Sequence, residues 1–247
     1  MGDTRVSAPA RPAFYALAPG GWRDYVTLLH PPYTAWHLSY VAMGAALAPV
    51  VSWDRLVLGL LAFFLATGVG AHALDELRGR PLRTRIPERV LWGLAATSIA
   101  AAVGLGVYAC VAYTPWLAPC VAFGAFIVVA YNLELFGGRF HTDAWFALAW
   151  GGFPALTGYL GEAERLSAEA LVLAAFAALL SAAQRALSNP VRDVRRRVAS
   201  VAGTVELADG RREPLRARSL TEAPEAALRL LSVASVVLAV ALLVRAA

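Results

Sequence analysis

One histidine and two carboxylates stand with helical spacing at the end of a long apolar segment. His72, Asp75 and Glu76 are three and four residues apart, so a helix through them places the three side chains on one face. Gly79 and Pro81 then end the helix. The same stretch carries five arginines: Arg78, Arg80, Arg83, Arg85 and Arg89. An imidazole, carboxylates and guanidinium groups in this arrangement favour a site for a metal, an anion or both.

A second polar cluster ends another apolar segment, and a third lies between the two. The second consists of Gln184, Asn189, Arg192 and Asp193. The third follows Tyr131 along the chain. It comprises Asn132, Glu134, His141 and Asp143. Each cluster alone is compatible with a solvated helix end. The first and second clusters together suggest the two walls of one cavity.

The composition is that of an integral membrane protein. Of the 247 residues, 59% are hydrophobic and only 16% are charged, and the mean hydropathy is +0.58. A soluble domain carries about 25% charged residues. The formal net charge of +5 comes from arginine, since the chain has no lysine. We expect basic loops to meet membrane lipids or phosphates, and nothing in the composition calls for nucleic acid.

Seven apolar segments have the length of transmembrane helices, which need about 20 residues. They are 33–51, 56–74, 90–111, 116–133, 144–161, 167–187 and 226–244. The predicted fold is therefore an all-α membrane bundle of about seven transmembrane helices. Residues 1–24 are predicted to be a disordered cytoplasmic tail without a cleaved signal peptide, and residues 25–247 a single transmembrane domain. Within the loop 190–221, Asp209-Gly210 lies between two short runs, which predicts a small β-hairpin.

The arginines predict the orientation of these segments in a bacterial inner membrane. Only Arg55, Arg165 and Arg245 fall in one set of loops, whereas the other set is strongly basic. Basic loops remain in the cytoplasm, so the N-terminus is predicted inside and the C-terminus outside. All three polar clusters then lie at the cytoplasmic side.

Several further residues bear on packing and chemistry. His30, His37 and His141 lie on the same predicted side as His72, either as interfacial residues or as part of the site. Pro154 permits a kink, whose freed carbonyl must be satisfied inside the protein, and the neighbouring glycines permit close helix approach. Two cysteines flank the turn after the third segment. Cys110 and Cys120 are either small apolar fillers or a disulfide.

The order of these features resembles the UbiA superfamily of intramembrane prenyltransferases. The segment 29–48 is similar to the family's opening helix, and Arg83-Thr84 looks like the segment that trails its first acidic motif. Tyr131-Asn132 resembles the tyrosine that closes the fourth helix, and the segment 189–193, Asn-Pro-Val-Arg-Asp, resembles the second acidic motif. The resemblance covers residues 25 to 198. It implies that Mg²⁺ held by both motifs binds an isoprenoid diphosphate, whose carbocation alkylates an acceptor.

The chain departs from the family pattern at the acidic motifs. Ala71, His72 and Gly79 fall where the family has an asparagine and two aspartates, and Arg197 falls where it has another aspartate. The family also has about nine membrane helices, so part of the lipid-binding wall is missing here or comes from another subunit, which makes homo-oligomerisation worth testing. Asp75, Glu76 and Asp193 remain as ligands for one Mg²⁺, and two ions are hard to justify.

Three hypotheses follow from these observations. In the first, the protein is an enzyme acting on an isoprenoid diphosphate or related lipid. The catalytic residues are His72, Asp75 and Asp193, and the substrate-binding residues are Arg78, Arg83, Arg192, Asn189, Tyr131, Asn132 and Gln184. In the second, histidine and carboxylate ligands hold Fe or Zn for chemistry on a lipid or quinone-like substrate. In the third, the protein is a non-catalytic lipid-binding or assembly subunit.

Overall fold

The structure is a computed structural model that describes residues 11–246. Its helices are α1 (Trp22–Leu28), α2 (Pro31–Leu47), α3 (Trp53–Leu77), α4 (Glu88–Ala112), α5 (Ala118–Asn132), α6 (Asp143–Ala147, Leu148–Gly152 and Phe153–Ala163 in direct succession), α7 (Ala168–Arg197) and α8 (Ala217–Ala246). Short 3₁₀ turns cover Pro115–Leu117 and Phe136–Gly138, and the strands are β1 (Thr204–Glu206) and β2 (Arg212–Pro214). The described chain is thus a helical bundle with one small hairpin.

Five helices of the described chain are long and apolar enough to cross a membrane, which indicates an integral membrane protein. They are α3, α4, α7, α8 and the segment Pro115–Asn132 that contains α5. The two remaining predicted segments are also helical. They correspond to α2, which has 17 residues, and to α6.

Helix α2 lies at the centre of the bundle and packs mainly against α6 and α8. Its Trp36, Tyr40 and Met43 are fully buried. Gly44 and Gly158 let α2 and α6 approach closely, because a Cβ on Gly44 would lie 2.0 Å from the carbonyl oxygen of Ala155. The prediction that glycines of the fifth segment allow close helix approach is confirmed.

Two helices contain a π-helical stretch, and each stretch lies beside the polar end of the bundle. The stretches are Phe64–Ala71 in α3 and Leu148–Gly152 in α6. Pro154 has no N–H, so the carbonyl of Trp150 loses its ordinary helical partner. The ring of His37 takes that place, with Nδ1 2.7 Å from the Trp150 oxygen. The carbonyl freed by the proline is thus satisfied inside the protein, as predicted.

The connections partly follow the predictions. β1 and β2 pair antiparallel around the Asp209-Gly210 turn, which confirms the hairpin. Residues 11–24, assigned from the sequence to a disordered tail, are instead packed on the bundle: the Leu17 N–H donates to Thr27, and Arg195 donates to the Arg11 carbonyl. Residues 1–10 of that predicted tail lie outside the described residues. Cys110 and Cys120 are free thiols in one apolar cluster.

Candidate functional site

A polar cavity of about 510 Å³ lies where α3, α5 and α7 end and α2 begins. Every predicted site residue except Glu76 and Arg83 lines it: His72, Asp75, Arg78, Tyr131, Asn132, Gln184, Asn189, Arg192 and Asp193. Residues 12–15 of the N-terminal segment line it as well. The structure therefore brings the polar clusters, which are far apart in the sequence, into one cavity.

Three histidines in this cavity have their ring orientation fixed by backbone carbonyls. Nδ1 of His37 is 2.7 Å from the Trp150 oxygen, Nδ1 of His72 is 3.0 Å from the Gly68 oxygen, and Nδ1 of His141 is 2.9 Å from the Tyr131 oxygen. A carbonyl oxygen only accepts hydrogen bonds, so each Nδ1 carries a proton and donates it. In a neutral ring each Nε2 is then an acceptor.

His30 adds a fourth imidazole, which stacks on His72. The two ring centroids are 3.9 Å apart and the ring planes differ by 5°. The Tyr15 hydroxyl lies 2.8 Å from Nδ1 of His30. Burial lowers the pKa of His30 well below its usual value, and the neighbouring His72 lowers it further. Burial also raises the pKa of Tyr15, so both groups are neutral at pH 7.

Helix α7 supplies the basic wall of the cavity. Arg185, Asn189, Arg192 and Arg196 repeat at helical spacing along one face, and all four line the cavity. Arg185 and Asn189 both donate to Asp143, at 2.7 and 3.2 Å, and the Arg185 hydrogen bond lowers the pKa of that carboxyl. Arg192 donates to Asn189 and has no carboxylate partner among residues 11–246. Part of the basic wall is therefore compensated within the protein, and Arg192 is not.

Glu76 does not share the environment of His72 and Asp75, contrary to its predicted role as a metal ligand. Its side chain is fully buried and accepts hydrogen bonds from the Leu82 N–H at 2.9 Å, the Thr84 N–H at 2.8 Å and the Thr84 hydroxyl at 2.9 Å. Asp75 and Glu76 are adjacent in the helix and point about 100° apart, so one can face the cavity and the other the loop. Glu76 thus holds the loop after α3 in place.

Arg83, predicted to bind substrate, is exposed and does not line the cavity. In the loop after α3, the side chains of Leu82, Thr84 and Ile86 are buried while those of Arg83 and Arg85 point outward. The backbone turns at Arg83, whose φ is 56°, so this segment is not a regular strand. The burial of Leu82, Thr84 and Ile86 leaves the two arginines facing outward.

The carboxylates do not fit a Mg²⁺ site made of protein side chains. Of the three predicted ligands, Glu76 is engaged by the loop, and Asp193 pairs with Arg197 at 3.3 Å with 58% of its side chain exposed. Of the three, only Asp75 lines the cavity without an ion-pair partner among residues 11–246. Within the described part of the chain, no three His, Cys, Asp or Glu side chains come together as a metal-binding group, which applies equally to Fe and Zn.

Buried polar atoms without a partner are concentrated at this cavity. They are His30 Nε2, Tyr131 Oη and Gln184 Oε1, and all three residues line it. Buried polar atoms are nearly always hydrogen-bonded, so such a group calls for an explanation. The fourth such atom in residues 11–246, Thr157 Oγ1, belongs to a residue that lines a second cavity.

The second cavity is smaller and apolar. It has a volume of about 130 Å³ and extends along α3, α4, α5 and α6 toward Arg55 and Glu162. Trp150 lines both cavities and is the one residue they share in the part of the chain that is described. Its ring packs against Tyr131 and Phe146, with centroids 4.5 and 5.6 Å away. Trp150 therefore borders both the polar and the apolar space.

Several residues of the site were not predicted from the sequence. Arg185 and Arg196 belong to the same helical stripe as Asn189 and Arg192, so their spacing was a usable signal. Tyr15 and Trp150 carried no such signal, because their roles depend on how distant segments pack.

Comparison with protein-family models, with curated proteins and with solved structures finds no match to this chain. The resemblance to the UbiA superfamily therefore remains a prediction from the sequence.

Proposed function

We propose that the protein is a UbiA-like membrane enzyme that acts on an isoprenoid diphosphate, by prenyl transfer or related diphosphate-lipid chemistry. The proposal includes seven membrane spans in a bacterial inner membrane, with the N-terminus and the polar cavity on the cytoplasmic side. The arginine distribution between loops supports this orientation.

The environment of Arg192 is the main support for the proposal. It lies on the cavity wall beside Arg185 and Arg196, and its one side-chain partner within residues 11–246 is the neutral Asn189. A partly buried guanidinium without a carboxylate is costly unless an anion compensates it. Phosphate is a suitable anion, since guanidinium groups donate two parallel hydrogen bonds to it.

The charge of the whole cavity supports the same ligand. Five arginines and three carboxylates line it among the described residues: Arg78, Arg185, Arg192, Arg196 and Arg197 against Asp75, Glu134 and Asp193. The excess is positive. Beyond Trp150 the apolar cavity offers a place for part of a hydrocarbon chain. A polar space and an apolar space that share a lining residue suit a lipid with an anionic headgroup.

The chemistry that suits these groups is loss of the diphosphate. When the bond between the first isoprenoid carbon and the bridging oxygen breaks, the electron pair leaves with the diphosphate. Arg192, Arg185 and Arg196 would stabilise the charge that develops on it, as preorganised donors do in other active sites. Asp75 would face the allylic cation, and His72 Nε2 would accept the proton that the acceptor releases. No step requires a carboxylate-bound metal.

The test uses purified full-length protein in lipid nanodiscs with tritiated farnesyl or geranylgeranyl diphosphate. We expect saturable binding and release of diphosphate. Arg192→Gln should weaken binding about 30-fold, because a charge-assisted hydrogen bond contributes about 2 kcal/mol. Arg212→Gln on the exposed hairpin is the matched control and should leave binding unchanged. Equal affinities for the two variants would contradict the assignment of the site.

The same assay separates the alternatives. Binding without diphosphate release, with water or any added acceptor, would favour the non-catalytic lipid-binding hypothesis. Stoichiometric Fe or Zn in the purified protein would favour the transition-metal hypothesis, despite the dispersed donor groups.

A further inference from the structure

A basic and aromatic surface lies outside the polar cavity. Three elements form it: α1, the loop 78–87 after α3, and the first two turns of α4. They pack on one another through Leu28, Ile86 and Leu91, which belong to one buried apolar cluster. Their exposed basic and aromatic side chains make up what we call the interfacial patch: Trp22, Tyr25, Arg83, Arg85, Arg89 and Trp92. None of these residues lines the polar cavity, so the proposed function does not use them.

The backbone of the loop is held by two buried carboxylates. Glu76 accepts from two N–H groups of the loop, and Asp24 of α1 accepts from the Arg85 N–H at 2.8 Å. Burying a carboxylate is costly unless hydrogen bonds compensate it. The two carboxylates therefore fix the loop in one conformation, in which the Arg83 and Arg85 side chains are exposed.

Arg83 itself has a backbone conformation that residues other than glycine seldom adopt. Its φ is 56°, in the left-handed region. Such a conformation persists only where the surrounding structure imposes it, and ligand-binding segments are among the places where it occurs. The loop thus presents Arg83 in a strained and defined position, which a merely solvated arginine does not require.

The exposed charge of the patch is positive. Its three arginines have no carboxylate within ion-pair distance among residues 11–246. Glu88 is the one exposed carboxylate in the segment 83–92, so three positive charges face one negative charge there. An anion is the partner that this surface suits. Phosphate fits well, because guanidinium groups donate two parallel hydrogen bonds to it.

The position of the patch indicates where the phosphate comes from. Helix α4 begins at Glu88 and is one of the helices long and apolar enough to cross a membrane. Arg85 and Arg89 therefore lie at the end of a candidate span. Trp92 is exposed three residues after Arg89, on the same face of α4. Arginine and tryptophan side chains at the ends of spans lie at the level of the lipid headgroups.

We propose that the interfacial patch is a binding site for an anionic phospholipid of the surrounding membrane. The lipid phosphate accepts hydrogen bonds from Arg83 and Arg85, and Arg89 adds a third positive charge. The indole of Trp92 lies beside the upper part of the lipid. The site depends on the protein lying in a membrane and does not rest on the proposed enzymatic function.

Native mass spectrometry tests the site on purified full-length protein in detergent micelles. The protein is titrated with phosphatidylglycerol or with phosphatidylcholine of the same acyl chains, and the retained lipids are counted. We expect one phosphatidylglycerol to bind at least fivefold more tightly than phosphatidylcholine, since one basic residue near a membrane surface changes the affinity for an anionic lipid about fivefold. Equal affinities for the two lipids would overturn the proposal.

Two double variants locate the site. Arg83→Gln with Arg85→Gln should weaken phosphatidylglycerol binding at least tenfold. Arg139→Gln with Arg216→Gln is the matched control, because it removes the same charge from exposed positions outside the patch. It should change binding less than twofold. Equal losses in the two double variants would mean that a basic protein attracts anionic lipids without a defined site, and the proposal would fail.

Two further measurements separate this site from other phosphate sites. Glycerol 3-phosphate should not displace phosphatidylglycerol at equal concentration, and displacement would mean that the patch binds a soluble phosphate instead. Arg83→Gln with Arg85→Gln should change the affinity for farnesyl diphosphate less than twofold. A larger loss would assign both arginines to the substrate site and overturn the lipid site. If wild-type protein binds phosphatidylglycerol but no farnesyl diphosphate, only the proposed function is wrong.

Discussion

The two ends of the helical bundle differ in how their charged and polar groups are compensated. At the end opposite the polar cavity, Arg55 donates to the Gly161 carbonyl at 3.1 Å and to Glu164 at 2.7 Å, and it lies over the Tyr113 ring. Glu162 there accepts from the Ser52 N–H at 2.8 Å. The charged groups at this end are therefore paired within the protein, as expected of a structural connection.

At the cavity end the groups are left incomplete. Arg192 has no carboxylate partner within residues 11–246, and His30 Nε2, Tyr131 Oη and Gln184 Oε1 have no partner at all there. The contrast teaches that charge alone does not mark a site in this protein. What distinguishes the cavity end is polar groups that the described chain does not satisfy.

The largest effect should come from Glu76, a fully buried carboxylate at the cavity end whose two oxygens both accept hydrogen bonds. Glu76→Ala leaves two N–H groups and a hydroxyl without their acceptor, so we expect a loss of about 3 kcal/mol in the free energy of unfolding. Thermal unfolding in nanodiscs measures it. Glu134→Ala removes an exposed ion pair and should cost under about 0.5 kcal/mol. Similar losses in the free energy of unfolding for the two variants would contradict a structural role for Glu76.

A pair of arginine variants tests the contrast between the two ends directly. Arg192→Gln should weaken farnesyl diphosphate binding by about 2 kcal/mol with little change in stability. Arg55→Gln should do the reverse, because it breaks an ion pair and a carbonyl contact worth about 1 kcal/mol together and lies far from the polar cavity. Affinity and unfolding temperature are measured for both. A common effect of the two variants on binding would show that the ends are coupled.

The link between His37 and Pro154 can be tested with a double-mutant cycle. His37→Phe should cost about 1.5 kcal/mol, because the Trp150 carbonyl loses its donor. Pro154→Ala restores an N–H at the position that normally serves this carbonyl, so the same His37 substitution should cost less in that background. If the losses of stability from the two substitutions are additive, the Trp150 carbonyl does not couple His37 to Pro154.

Stability should fall in mild acid because of His30. Burial lowers its folded-state pKa well below the unfolded value of about 6.5, so the unfolded chain binds the proton first as the pH drops. His72, His37, Arg192 and Arg196 act in the same direction. We expect a loss of about 1 kcal/mol between pH 7 and pH 5.5. His30→Gln should make stability depend less on pH in this range. An unchanged pH dependence would mean that other groups cause the loss of stability in acid.

The smallest effect should follow removal of divalent cations. Because Asp75 is the one predicted carboxylate ligand that lines the cavity without an ion-pair partner among residues 11–246, excess EDTA should change farnesyl diphosphate affinity less than twofold. If EDTA lowers the affinity for farnesyl diphosphate tenfold or more, the Mg²⁺ site predicted from the sequence is supported. The measurement is the same binding assay, with and without added Mg²⁺.

The sequence predicted the helices and the hairpin because these depend on local patterns. Apolar runs and the Asp209-Gly210 turn are read within a few residues. Cluster order also placed His72, Asp75, Asn189 and Arg192 together. The sequence did not predict which way the Glu76 side chain points. Its spacing from His72 and Asp75 carries no information about the N–H groups of Leu82 and Thr84, which bind its carboxylate in the folded protein.

The remaining features depend on contacts between distant segments. The outward direction of Arg83 follows from the burial of its neighbours Leu82 and Thr84, and the acceptor role of His37 depends on a carbonyl from another helix. Residues 12–15 showed no pattern that would place them on a cavity wall.

Trp150 has a kinetic consequence. Since Trp150 lines both cavities, we expect a ligand that occupies both to pass this residue and to move its ring aside. The ring is 4% exposed and wedged between Tyr131 and Phe146, so the displacement requires neighbouring side chains to change rotamer together. Association should then be biphasic: a rapid, salt-sensitive encounter of the headgroup, followed by a slower, salt-independent entry of the chain. Residence time would be governed by the indole rather than by the arginines.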